Sequence, residues 1–132
     1  MIVLDASVVV DFLLDLDGRG VTAARRVLRS WKDLAAPHLL DAEVLHALRG
    51  LNRAGHLSSA QLAQAVDAFK LLPFRRFPHT PLLSRALEFR HNATAYDALY
   101  LALAEALEGT LVTRDRRLAG VPGVHATVEV LP

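Results

Sequence analysis

Short apolar runs alternate along the chain with segments whose apolar residues recur at helical spacing. Ile2-Val3-Leu4 ends on an acid and reads as a buried parallel strand. Residues 7–15 follow as a helix, with Val8, Phe12 and Leu16 on one face. The DGRG stretch at 17–20 predicts a turn, and a second helix covers 21–31. Leu34-Ala35-Ala36 before Pro37 predicts a second strand, and 38–53 a helix with Leu40, Val44, Leu48 and Leu51 in register. Gly55 closes that helix. Ser58 and Gln61 form a capping box for the next helix, which runs to about Leu72. Phe74–Phe77, between Pro73 and Pro78, reads as a third strand, and 80–91 as a helix. Residues 94–108 give the strongest helical pattern and stop at Gly109. Thr110–Thr113 predicts a fourth strand and Val124–Ala126 a fifth. Strands alternating with helices over 132 residues argue for one domain, 1–132, an α/β protein built as a three-layer α/β/α sandwich around a parallel sheet.

Composition narrows the chemistry. Half the residues are apolar, rich enough that another chain is expected to cover part of the surface. The net charge of +1 does not announce a nucleic-acid partner. The type of base says more, because all basic residues except Lys32 and Lys70 are arginine, the better phosphate fork. Genomic base composition produces the same excess. With no cysteine, disulfides, thiolate metal sites and cysteine nucleophiles are excluded. The N-terminal segment carries Asp5 and Asp11 and has no basic n-region, so it does not read as a signal peptide. No apolar run suits a membrane crossing, and a cytoplasmic protein is expected.

Four carboxylates stand out from the rest. Asp5 sits where the first strand ends, the place where parallel sheets build sites, although it also suits a helix N-cap. Asp97 opens a helix that is apolar or aromatic from Ala98 to Ala104, where an ionised group is costly to bury. Thr94-x-x-Asp97 equally matches a capping box. Glu43 falls at the margin of the buried face of its helix, with His46 one turn on; an ordinary surface glutamate and histidine fit the same pattern. Asp115 follows the fourth strand, and its other reading is a turn acid paired with Arg114, Arg116 or Arg117. Two acids after strands and two on core helices can all face one end of the sheet. Packed together they would repel and protonate unless a hard divalent cation held them. Ser7 and Thr113 place hydroxyls nearby that can orient water or ligand, or simply cap and fill.

LDASV at 4–8, AEVLHAL at 42–48, YDALYLALAE at 96–105 and LVTRD at 111–115 resemble the PIN domain, and more narrowly the VapC ribonuclease toxins of VapBC toxin–antitoxin systems. The resemblance spans essentially the whole chain, and it is the four motifs in order that make it specific. It implies a parallel α/β/α sandwich and an Mg²⁺- or Mn²⁺-dependent endoribonuclease whose metal-site acids match Asp5, Glu43, Asp97 and Asp115. It further implies a homodimer inhibited by a VapB-like antitoxin that occludes the acidic site. Many members carry a further acid shortly after the position of Asp115. Here Arg116 and Arg117 follow, which leaves one metal expected and a second open. With Arg114 they are candidate contacts to RNA phosphate, or a solvated face.

Two other classes compete. A phospho-acceptor receiver domain needs a lysine after a late strand, and neither Lys32 nor Lys70 stands there. A non-catalytic PIN-fold interaction module would not need all four acids.

Overall fold

The computed structural model describes residues 1–14 and 33–132. The turn at 17–20 and the helix at 21–31 expected from sequence lie outside the described residues.

Five parallel strands form the sheet: β1 (Ile2–Leu4), β2 (Leu34–Pro37), β3 (Phe74–Phe77), β4 (Thr110–Thr113) and β5 (Thr127–Val130). Their order is β3-β2-β1-β4-β5, so the chain winds outward from β1 in one direction and then, from β4, in the other. β1 therefore pairs with β2 on one side and β4 on the other, with Leu4 opposite Val112. The gap beyond the carboxyl ends of β1 and β4 is the switch point, where open α/β sheets place their ligands.

Successive strand residues face opposite sides of the sheet, and the core divides accordingly. Leu4, Leu34, Ala36 and Val112 pack on one face against α1 (Ala6–Leu14), α2 (Leu39–Arg53) and α3 (Ser59–Lys70). Val3, Ala35 and Leu111 face the other way, onto α4 (Leu83–Glu88) and α5 (Ala95–Ala106). Helix α5 is buried without a break from Ala98 to Ala104, as its run of Ala and Leu demands.

The ends of the helices follow local chemistry. Ser58 and Gln61 complete the capping box of α3 in both directions, at 3.1 and 2.9 Å. Gly55 takes the left-handed conformation after α2 at φ 83°. After α5, the left-handed position falls on Glu108 at φ 52°. Gly109 is needed for a different reason: a Cβ there would stand 2.4 Å from the Met1 carbonyl oxygen, at the mouth of the β1–β4 pair.

Two expected elements are shifted. The helix at 80–91 is a 3₁₀ turn, Thr80–Leu82, followed by the short α4; the chain then turns back on Phe89. The fifth strand starts at Thr127, not Val124. Arg85 and Glu105 clamp the preceding segment, Arg85 Nη2 donating to the Gly123 carbonyl and Glu105 Oε1 accepting from the His125 amide. Residues 124–126 are thereby held off the sheet edge. A one-turn helix, α6 (Arg116–Ala119), follows Asp115.

Candidate active site

Asp5 leaves the end of β1 and is buried. Its Oδ1 accepts from the Ser7 amide at 3.0 Å, the Val8 amide at 3.3 Å and the Ser7 hydroxyl, so the capping reading of this residue is realised. Its Oδ2 accepts from the fully buried Thr113 hydroxyl at the end of β4. Thr113 Oγ1 in turn accepts from the Asp115 amide at 3.0 Å. Ser7 Oγ accepts from the Arg114 amide at 3.3 Å. The two hydroxyls thus tie the ends of the two central strands together around one carboxylate. Burial raises the Asp5 pKa, and the four donors only partly offset it.

Glu43 projects from α2, whose first amide, Leu39, donates to His79 Nε2 at 2.9 Å. Half-buried, Glu43 accepts a 2.7 Å bond from the Tyr100 hydroxyl of α5. Burial raises its pKa, and the charges of Asp97 and Asp5 push the same way; Tyr100 holds it down. Tyr100 is itself buried, and its hydroxyl is pushed up by burial and by Glu43. Sequence reasoning counted Tyr100 only as part of an apolar helix face. The available signal was its hydroxyl, because a buried tyrosine needs a partner.

Asp97 lies in the first turn of α5. Thr94 caps that helix, accepting from the Asp97 amide at 3.1 Å. Among the described residues no return bond from the Thr94 amide completes a box. Burial raises its pKa and the Asp115 charge adds to this, against lowering by Thr94 and Arg117. Asp115 caps α6 through a 2.9 Å bond from the Arg117 amide, and the Arg117 side chain pairs with it as well. That contact holds the Asp115 pKa below its ordinary value.

The four acids therefore act on one another: Glu43 feels Asp5 and Asp97, and Asp97 feels Asp115. Burial opposes ionisation at Asp5, Glu43 and Asp97, like charge adds to it at Glu43 and Asp97, and every donor in the set is an oxygen. That is the donor chemistry of a hard divalent cation. Among the described residues no three such side chains are already drawn together around a point that would hold an ion. Asp5 faces its hydroxyl and amide donors, and Arg117 faces Asp115. Both oxygens of Asp115 are engaged by Arg117 in this arrangement.

The expected arginine contacts separate. Arg114 pairs with Asp11 of α1, and Arg117 with Asp115. Arg116 is exposed, with no ion pair among the described residues. His46 lines a mostly apolar groove of about 560 Å³ with Ala6, Leu39, Ala42, Glu43 and the exposed Tyr96.

A doubly wound parallel sheet with acids at its switch point defines a class of α/β proteins that bring carboxylates to one edge. Residues 2–124 match the PIN domain, and the chain belongs to that family. It is 44% identical to Ribonuclease VapC1 of Mycobacterium tuberculosis over 98% of this chain and 96% of that protein. It is 39% identical to Ribonuclease VapC9 of the same organism, over 100% and 99%. The fold is shared with the crystal structure of M. tuberculosis VapC20, a sarcin–ricin-loop-cleaving toxin, at 19% identity and a TM-score of 0.71, covering all of both chains. Among the described residues, no helix is long and apolar enough to cross a membrane.

Proposed function

We propose that this protein is a divalent-metal-dependent endoribonuclease, the toxin of a VapBC-type pair, acting in the cytoplasm through one PIN unit spanning 1–132. The observation that carries the reading is the mutually coupled, partly buried set Asp5, Glu43, Asp97 and Asp115 at the switch point, in a chain 44% identical to a named ribonuclease. Asp5, Asp97 and Asp115 are the residues that would hold Mg²⁺ or Mn²⁺, directly or through water, and Glu43 completes the set or orients the attacking water. When bound, the cation supplies charge neutralisation at the phosphate and activation of water.

The chain's own residues supply the rest. Ser7 and Thr113 fix Asp5, and Tyr100 fixes Glu43 with one oxygen left for a water proton. Water adds to phosphorus in line with the ribose 3′-oxygen, whose bond to phosphorus breaks. The products are a 5′-phosphate and a 3′-hydroxyl, and no covalent enzyme intermediate forms. A VapB-like antitoxin and a second copy of the chain are the expected protein partners. The exposed Leu83, Leu87 and Tyr96 are apolar surface available for such contacts.

The test is incubation of metal-stripped protein with total RNA, with and without Mg²⁺ or Mn²⁺, followed by mapping of the cut ends. Cleavage that depends on added metal and disappears in Asp97→Asn, with the fold retained, is the expected result. Full activity of Asp97→Asn would sink the scheme.

A further inference from the structure

A second, chemically opposite space adjoins the acids. Between the turn at 90–94 and α6 lies a cavity of about 290 Å³ lined by Arg90, His91, Asn92, Thr94, Asp97 and Arg117, among others. Its single acid, Asp97, is the wall it shares with the carboxylate cluster. The other polar groups are a guanidinium on either side, an imidazole, an amide and a hydroxyl, all able to donate to an anion.

The turn that presents them is held firmly. Phe89 is buried, and its carbonyl accepts the Asn92 and Ala93 amides, both at 3.0 Å. The Arg90 amide donates to the Leu87 carbonyl at 3.1 Å. Arg76, Arg85, Arg114 and Arg117 are each matched to a carboxylate. Arg90 has no ion pair among the described residues; its side chain makes only a 3.3 Å bond to the Leu87 carbonyl. A guanidinium on a rigid turn, unneutralised and at the rim of a site for phosphodiester chemistry, is suited to a phosphate oxygen.

The other flank of the acids argues in the same direction. The groove beside Glu43 is walled mostly by apolar Ala6, Leu39, Ala42 and Ala47 and holds no guanidinium; His46 and Tyr96 are its polar donors. A strand crossing the acids therefore meets guanidinium groups on the side of Arg90 and Arg117 and none in that groove. We propose that the cavity at 90–94 is a phosphate subsite, holding the RNA phosphodiester next to the one being cut, with Arg90 as its principal donor and His91 and Arg117 beside it. This rests on the ribonuclease reading above, which fails separately if the wild-type protein with Mg²⁺ or Mn²⁺ leaves total RNA intact.

The experiment measures binding of a fluorescein-labelled, unstructured oligoribonucleotide by anisotropy across a KCl series, in EDTA so that nothing is cut. Wild type is compared with Arg90→Gln, Arg90→Lys and a control, Arg53→Gln, at the far end of α2. Arg90→Gln is expected to weaken binding and to reduce the slope of log K against log salt by about 0.7, one phosphate contact on a single strand. Arg90→Lys keeps the slope while losing part of the affinity, because the charge stays and the fork is lost. Arg53→Gln changes neither. An unchanged slope in Arg90→Gln overturns the proposal. If that variant keeps its slope yet loses binding to an acidic antitoxin peptide, the cavity is a protein-recognition site instead.

Discussion

Arg117 grips Asp115 through both carboxylate oxygens, Nε donating at 3.0 and 3.1 Å and Nη2 at 2.6 Å. In this arrangement a side chain two residues away does for Asp115 what a cation would do, and the two compete for the same oxygens. Arg117→Gln should bind Mn²⁺ about two- to fivefold more tightly, the modest scale of an exposed pair. Calorimetric titration of metal-stripped protein reads this directly. Equal or weaker Mn²⁺ binding in the variant would mean that Arg117 is no competitor.

Tyr100 reaches Glu43 from the opposite helix, and the bond favours the ionised carboxylate. Tyr100→Phe removes the donor without changing the packed ring. Metal-dependent cleavage should fall by about 10- to 100-fold, the usual effect of losing a group that orients a metal-site residue. The acidic limb of the pH–rate profile should also move to higher pH, because Glu43 loses the contact that held it down. A rate loss with an unmoved limb would assign Tyr100 to packing alone.

Stability without metal should depend on pH in a definite direction. Asp5, Glu43 and Asp97 are all raised in the folded protein, so each favours folding most below its unfolded value, 3.8 for Asp and 4.5 for Glu. That contribution is lost as pH rises through the folded values. The lowered acids, Asp115 and Glu105, act only at the acid end, where their contribution is lost as pH falls. Melting in EDTA should therefore move to lower temperature as pH is raised from the unfolded values of these acids, 3.8 and 4.5. Added Mg²⁺ should restore most at the upper end, where the ligands are ionised. A melting temperature flat across that range would remove the case for strained carboxylates.

Gly109→Ala tests the tightest glycine site among the described residues. The added Cβ would meet the Met1 carbonyl at 2.4 Å, and that oxygen is main chain, with no side-chain rotamer by which to give way. Destabilisation of about 1–3 kcal/mol is expected in urea unfolding, the range for overpacking. An unaffected midpoint would mean that the start of β1 yields freely.

Much of this was legible in the residues. Apolar runs located four of the five strands, and acids at the ends of β1 and β4 marked the switch point because a parallel sheet puts its sites there. Asp97 announced itself by standing at the head of a helix with no solvent face. What escaped was set by pairing between distant side chains. Residues 124–126 have strand-like composition, yet the Arg85–Glu105 clamp, twenty positions apart, holds them away from the sheet. The Tyr100–Glu43 bond spans 57 positions, and no local pattern encodes it. The cavity at Arg90 arises where a turn after α4 meets α6, two segments that read as unremarkable surface when taken singly.

The bond from Thr113 to Asp5 joins residues 108 positions apart. β1 is an early segment of the chain but gains its β4 neighbour only after nearly all the described elements have been made. A nascent chain halted before residue 110 lacks both that strand and Asp115, whatever helices it has already folded. The acid pocket is therefore among the last of the described features to close during synthesis. For an enzyme that cuts RNA, this order leaves the growing chain without its acid pocket until β4 has been made.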